Sequence, residues 1–176
     1  GSTVDVNGTV DSASNLTFRQ PIPGQSLMLD MDPMSGFLNA GGPGQGTIII
    51  GNGENTGGVT IQNGDLVTDD DLLIGSSGIV QIDSGINSGT GDISIEASDV
   101  VLNGTLSGNG SLSIAPSIQG TSIGLGSGTG TFSLDASELS RIADGFSSIR
   151  IGAEEEEYFE DFNDGLFTDE LEVVGP

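Results

Sequence analysis

The chain of 176 residues contains no cysteine, histidine, lysine or tryptophan. Its only cationic side chains are Arg19, Arg141 and Arg150, set against 26 Asp and Glu for a formal charge of -23. Without cysteine there are no disulfides and no thiolate metal sites. Without histidine there is no His-dependent triad and no imidazole-ligated zinc. So few cations cannot neutralise a row of phosphates, so nucleic acid is excluded as a partner, and anionic membrane surfaces are disfavoured for the same reason. No apolar run approaches the ~20 residues that span a bilayer, so no membrane insertion is expected. The opening Gly1-Ser2 reads as an expression remnant, so the chain is expected to be a piece of something longer.

What the chain has in quantity is glycine, 30 residues of it, together with Ser, Thr, Asn and short β-branched runs. Thr47-Ile48-Ile49-Ile50, Ile79-Val80-Gln81-Ile82 and Ile93-Ser94-Ile95 are each bounded by Gly, Asn or Asp, which is the pattern of strands separated by tight turns. Alternation, as in Leu112-Ser113-Ile114, sends one face of each strand to a core and one to solvent. Asn-Gly pairs at Asn7, Asn52, Asn63, Asn103 and Asn109 mark corners, because both residues tolerate positive φ. Asn-Gly also makes hairpin turns, so spacing alone leaves a coiled parallel ladder and a sandwich of hairpins both open.

An internal repeat points to stacking. Val4-Asp5-Val6-Asn7-Gly8-Thr9-Val10 matches Val100-Val101-Leu102-Asn103-Gly104-Thr105-Leu106, and in the same register Leu16-Thr17-Phe18 falls on Leu112-Ser113-Ile114. After a short insertion, Thr47-Ile48-Ile49-Ile50-Gly51 falls on Ser148-Ile149-Arg150-Ile151-Gly152. The repeat therefore relates about 4–51 to 100–152, and repeated strand-turn units imply a solenoid. One stretch breaks the β pattern: Asp135 to Gly145 predicts one or two helical turns, capped by Asp135 or Ser137 and stopped at Gly145.

Composition changes near Ile151-Gly152. The body, 1–152, holds all three Arg, whereas the tail, 153–176, packs Glu154 to Glu157 against Tyr158, Phe159, Phe162, Leu166 and Phe167. The aromatic and leucine spacing predicts a helical apolar face with acids opposite, followed by a strand over Glu170–Val174. A solenoid's ends expose open strand edges, so this face is a candidate cap and otherwise a candidate partner surface. Uncapped ends would also offer a route to self-association.

The densest carboxylate cluster of the body is Asp69-Asp70-Asp71 with Asp65 nearby. Hard oxygen ligands suit Ca²⁺, which makes Asp65, Asp69, Asp70 and Asp71 the candidate metal ligands; otherwise no cofactor is expected. The spacing lacks the EF-hand pattern, and the competing expectation is a solvated acidic turn. Asp30 and Asp32 would share a strand face, but no sugar-stacking tryptophan is present to make them a glycosidase pair.

The run Ser111 to Pro116, then Ser122-Ile123-Gly124-Leu125-Gly126, Phe132 to Gly145 and Ser148 to Gly152 resembles a repeat unit of filamentous-haemagglutinin-like surface adhesins, of the kind common in cyanobacteria. Gly75 to Ile82 and Gly91 to Ala97 look like the β-helical turns that precede it there. The resemblance covers roughly 4–152 and carries no catalytic residues. It implies an all-β, right-handed parallel β-helix with a short helical turn. It further implies secretion or display at the bacterial cell surface and a structural or adhesive role, with host or neighbouring-cell surface components as partners. The expected function is thus a non-catalytic adhesive segment. The alternatives are a module that takes Ca²⁺ or a basic partner through the acidic turn or tail, and a polysaccharide-active β-helix enzyme.

Overall fold

A computed structural model describes residues 1–152, apart from positions 21, 23, 32–35, 43 and 54–55, and the backbone of 171–173. Fifteen strands form five successive triplets. The first is β1 (Ser2–Val6), β2 (Thr9–Ser12) and β3 (Leu16–Phe18), and the second β4 (Leu27–Met31), β5 (Gly36–Ala40) and β6 (Thr47–Asn52). Next come β7 (Val59–Gln62), β8 (Leu66–Val67) and β9 (Asp71–Ser76), then β10 (Ile79–Ile82), β11 (Ile86–Asn87) and β12 (Ile93–Ala97). The fifth is β13 (Asp99–Leu102), β14 (Leu106–Ser107) and β15 (Ser111–Pro116).

Each sheet takes every third strand. One runs β1-β4-β7-β10-β13, a second β2-β5-β8-β11-β14, and a third continues from β3 through β6, β9, β12 and β15. Their pairings are parallel throughout. Hairpins would have given antiparallel neighbours, so the chain coils, and the fold is an all-β solenoid-like stack with three faces. We call these the first, second and third faces, and each triplet a coil.

In-register pairing stacks like on like. On the third face Phe18, Ile50, Ile74, Ile95, Ile114 and Ile151 form one column, and Leu16, Ile48, Leu72, Ile93, Leu112 and Ile149 form the next. On the first face Val4, Leu29, Ile61, Ile82 and Leu102 do the same. The inner members of these columns are buried, while Val4, Leu16 and Phe18 of the first coil are only partly so. Branched aliphatics suffice because each side chain is covered by its counterparts above and below, and the backbone groups are satisfied along the coil axis.

The repeat seen in the sequence has a structural meaning. Val4 to Val10 spans β1 and β2, and Val100 to Leu106 spans β13 and the start of β14, the same two faces four coils later. After β15 the winding is interrupted by β16 (Ile123–Gly126), β17 (Phe132–Asp135) and α1 (Ala136–Leu139). β16 and β17 pair with each other, and Ser133 N–H donates to Asp99 Oδ1 of β13 at 3.1 Å. Asp135 caps α1 with Glu138 in a reciprocal capping box. The helix ends at its C-cap Ser140, earlier than the expected stop at Gly145. The reason is that Ile142 must already bridge Leu106, restarting the second face. β18 (Ser148–Ile151) then rejoins the third face, and β19 (Leu171–Val173) pairs parallel with β18. That strand lies where the sequence predicted one. The predicted aromatic face of Tyr158, Phe159, Phe162, Leu166 and Phe167 lies outside the described residues.

The columns make a direct prediction. Ile95→Ala removes a fully buried member flanked by Ile74 and Ile114, and should lower the unfolding free energy by about 2–5 kcal/mol in urea titration. Ser94→Ala, on the outward side of the same strand, should change it by less than about 0.5 kcal/mol.

Candidate functional site

Acidic and amide side chains occupy the corners where the chain enters or leaves a face, and they bond along the coil axis. At the entry to the third face stand Asn15, Thr47, Asp71, Asp92 and Ser111 in successive coils. Asn15 Oδ1 accepts from Thr47 N–H at 3.2 Å, Asp71 Oδ1 from Asp92 N–H at 3.0 Å, and Asp92 Oδ1 from Ser111 N–H at 2.7 Å. Each is thus an acceptor for the amide at the same position one coil on. Before the second face, Asp65 Oδ1 accepts from Gly85 N–H at 2.8 Å, by the same geometry.

On the first face Asp5 stands opposite Asp30, and from Asp30 on carboxylates alternate with amides along the coils. Asp30 accepts from Asn63 Nδ2 at 2.6 Å and Gln62 Nε2 at 3.4 Å. Asp83 accepts from Gln81 Nε2 and, at 2.7 Å, from Asn103 Nδ2 of the next coil. The interleaved amides supply donors to Asp30 and Asp83.

The candidate Ca²⁺ cluster is divided among these roles. Asp70 is buried, 1 % exposed, and its carboxylate accepts from three backbone amides of the preceding coil. They are Ala40 N–H at 2.6 Å, Gln45 N–H at 3.2 Å and Gly46 N–H at 3.3 Å. Its own N–H donates to Thr68 Oγ1 at 3.0 Å. The expectation of a solvated acidic turn therefore fails at Asp70. Four consecutive polar positions, Thr68 to Asp71, cannot all face water when the strands before and after them enter a core. Asp65 and Asp71 are exposed and engaged as above, and Asp69 is half-buried. Among the described residues no group of three acidic side chains is placed to hold a metal ion. Asp30 sits in the ladder just described, and Asp32 lies outside the described residues.

A different surface feature lies at the corner leading from the third face back to the first. An open cleft of about 500 Å³ is lined by Thr56 to Thr60, Ser77 to Ile79, Gln81 and Ser98. None of the described lining residues ionises. Exposed isoleucines stand at this corner at Ile22 and Ile79, and another, Ile118, follows β15. The described lining offers hydroxyls and an amide to an approaching surface.

Sequence reading found the carboxylates of the 65–71 turn but not the ladder residues Asn15, Asp83 and Asp92. The signal for two of them was local: an Asx residue one place before an apolar strand, at Asn15 and Asp92. No protein-family model matches the chain, and no curated protein or solved structure does either.

Asp70→Asn keeps the shape but turns an NH₂ toward amide donors, and should cost on the order of 1–3 kcal/mol in urea titration. Asp71→Asn should be nearly neutral, because Asn15 already makes that bond with an amide oxygen. Since three of the four candidate ligands already accept backbone amides, the melting midpoint should be the same in millimolar Ca²⁺ as in EDTA. A clear upward shift with Ca²⁺ would overturn the structural assignment of these carboxylates.

Proposed function

We propose that the chain is a non-catalytic structural and adhesive segment of a large secreted or cell-surface bacterial protein, wound as a right-handed parallel β-helix. The observation that carries this reading is the set of three parallel sheets, each taking every third strand, with apolar columns in register from coil to coil. That architecture makes a stiff spacer, because hydrogen bonds run along the long direction of the stack and bending would have to break them. The resemblance of residues 4–152 to adhesin repeats supplies the cellular setting, and the corner carboxylates support the non-catalytic half. In enzymes, paired acids converge on a substrate. Here they are committed to backbone amides of neighbouring coils.

In this role the high negative charge keeps long assemblies soluble and discourages lateral sheet pairing. Partners would meet the outward faces and corners, among them the cleft lined by hydroxyls and an amide. Antibodies raised against the chain should label intact source cells without permeabilisation. Labelling that required lysis would overturn the surface placement. Turnover of a neutral or uronic-acid polysaccharide by the purified chain would overturn the non-catalytic reading.

A further inference from the structure

The three faces fare differently after the fifth coil. On the second, Leu106 N–H donates to the Arg141 carbonyl at 2.9 Å and Ala143 N–H to the Leu106 carbonyl at 2.9 Å, so the backbone ladder is carried one coil further. On the third, β18 pairs with β15. The first face ends at β13 among the described residues. Ile61 and Ile82 each have a strand of the next coil beside them, whereas the next in that column, Leu102, has α1 and its approach.

In a parallel ladder, successive residues address the two neighbouring strands in turn. Asn103 N–H donates back to the Ile82 carbonyl at 2.9 Å. Leu102 N–H points the other way, to where a sixth first-face strand would lie, and donates to Glu138 Oε1 at 3.2 Å. A side-chain oxygen thus stands where the ladder would put a backbone carbonyl. The other oxygen of this half-buried carboxylate, Oε2, accepts from Asp135 N–H at 2.9 Å, and Asp135 Oδ1 accepts from Glu138 N–H at 2.9 Å. At the start of β13, Asp99 Oδ1 accepts from Ser133 N–H at 3.1 Å. The β17–α1 segment is therefore tied to β13 by side chains at two points, while β17 forms its backbone ladder with β16. Phe132, Leu134 and Leu139 are fully buried, so the segment that makes these bonds is packed into the common core.

We propose that Glu138 is a built-in stop for the first face, closing the β13 edge against a strand from a second copy of the chain. A carboxylate suits the task in three ways. It is a strong acceptor and satisfies the amide that the edge would otherwise offer. It accepts without donating, so it cannot pass the ladder on to a further strand, which needs both N–H and C=O. Its charge also repels another acidic coil. Because the segment 136–147 then returns the chain to the second and third faces, winding continues there while the first face is closed.

The test is amide hydrogen exchange of the whole chain combined with sedimentation velocity. In Glu138→Ala the Leu102 amide should exchange at least about tenfold faster than in the parent, the factor for losing a hydrogen bond to a charged acceptor. The Leu106 amide, held by the Arg141 carbonyl, should keep its rate. The same variant should sediment as larger species whose size grows with concentration. Glu138→Asp keeps the charge in the first helical turn but withdraws the carboxylate by one methylene, and it should show both changes even where the alanine variant fails to fold. Asp135→Ala weakens the helix cap and leaves the bond from Leu102 to Glu138, so it should show neither. Parental exchange at Leu102 in the Glu138 variants, or no added association, would overturn the proposal. Equal acceleration at Leu102 in Asp135→Ala would reduce Glu138 to a helix cap and overturn it as well.

Discussion

Register between neighbouring coils is the constraint on which the molecule depends. Once Ile74 is opposite Ile95, and Ile95 opposite Ile114, the inward rows, the outward rows and the corner residues all fall into line. A slip of one residue would turn the isoleucine column outward and the Ser94 and Ser113 row inward, which no coil could survive. The columns therefore specify the stack as well as stabilise it. They do so mainly with branched aliphatics: among the described residues the fully buried aromatics are Phe132 and Phe146, in the irregular segment after β15, and Phe18 in the first coil is partly buried.

The same register explains the acidity of the body. Stacking places each corner residue against its counterpart in the next coil, where a backbone amide often has no carbonyl to meet. Asx and acidic side chains fill that vacancy, as at Asn15, Asp65, Asp71 and Asp92. A carboxylate accepting an amide is a stronger acceptor than a neutral oxygen. Carboxylates stacked on one another repel; Gln62 and Asn63 above Asp30, and Asn103 above Asp83, replace that contact with donors, whereas Asp5 still faces Asp30 and Asp92 follows Asp71. Asp70 goes furthest. A buried carboxylate is expensive to desolvate, and here the amides of Ala40, Gln45 and Gly46 offset that cost while being tied together by it.

Much of this was legible in the sequence. The apolar alternation gave the strands, and the match of Val4–Val10 with Val100–Leu106 gave the repetition, which proves to be the same corner four coils apart. Parallel winding was not legible in the turns, because Asn-Gly serves hairpins and coil corners equally; the expectation of it came from the repeat and the resemblance, and the parallel sheets agree with it. Asp70 was misread because a run of three aspartates looks like solvent-facing charge, and nothing local reveals that the middle one turns inward. The early end of α1 was hidden for a related reason: the residue that stops it is Leu106, more than thirty positions away and reached through Ile142.

Stacking also makes burial a matter of neighbours. A coil enclosed on both sides has its columns covered from above and below. Val4, Val10, Leu16 and Phe18 of the first coil are partly buried, whereas Leu29, Leu38, Ile48 and Ile50, which have a coil on either side, are fully buried. The protection that a solenoid gives its backbone is therefore a property of neighbours and not of local sequence. In a repeat protein, local stability should therefore be high wherever two coils enclose a third and lower where enclosure ends.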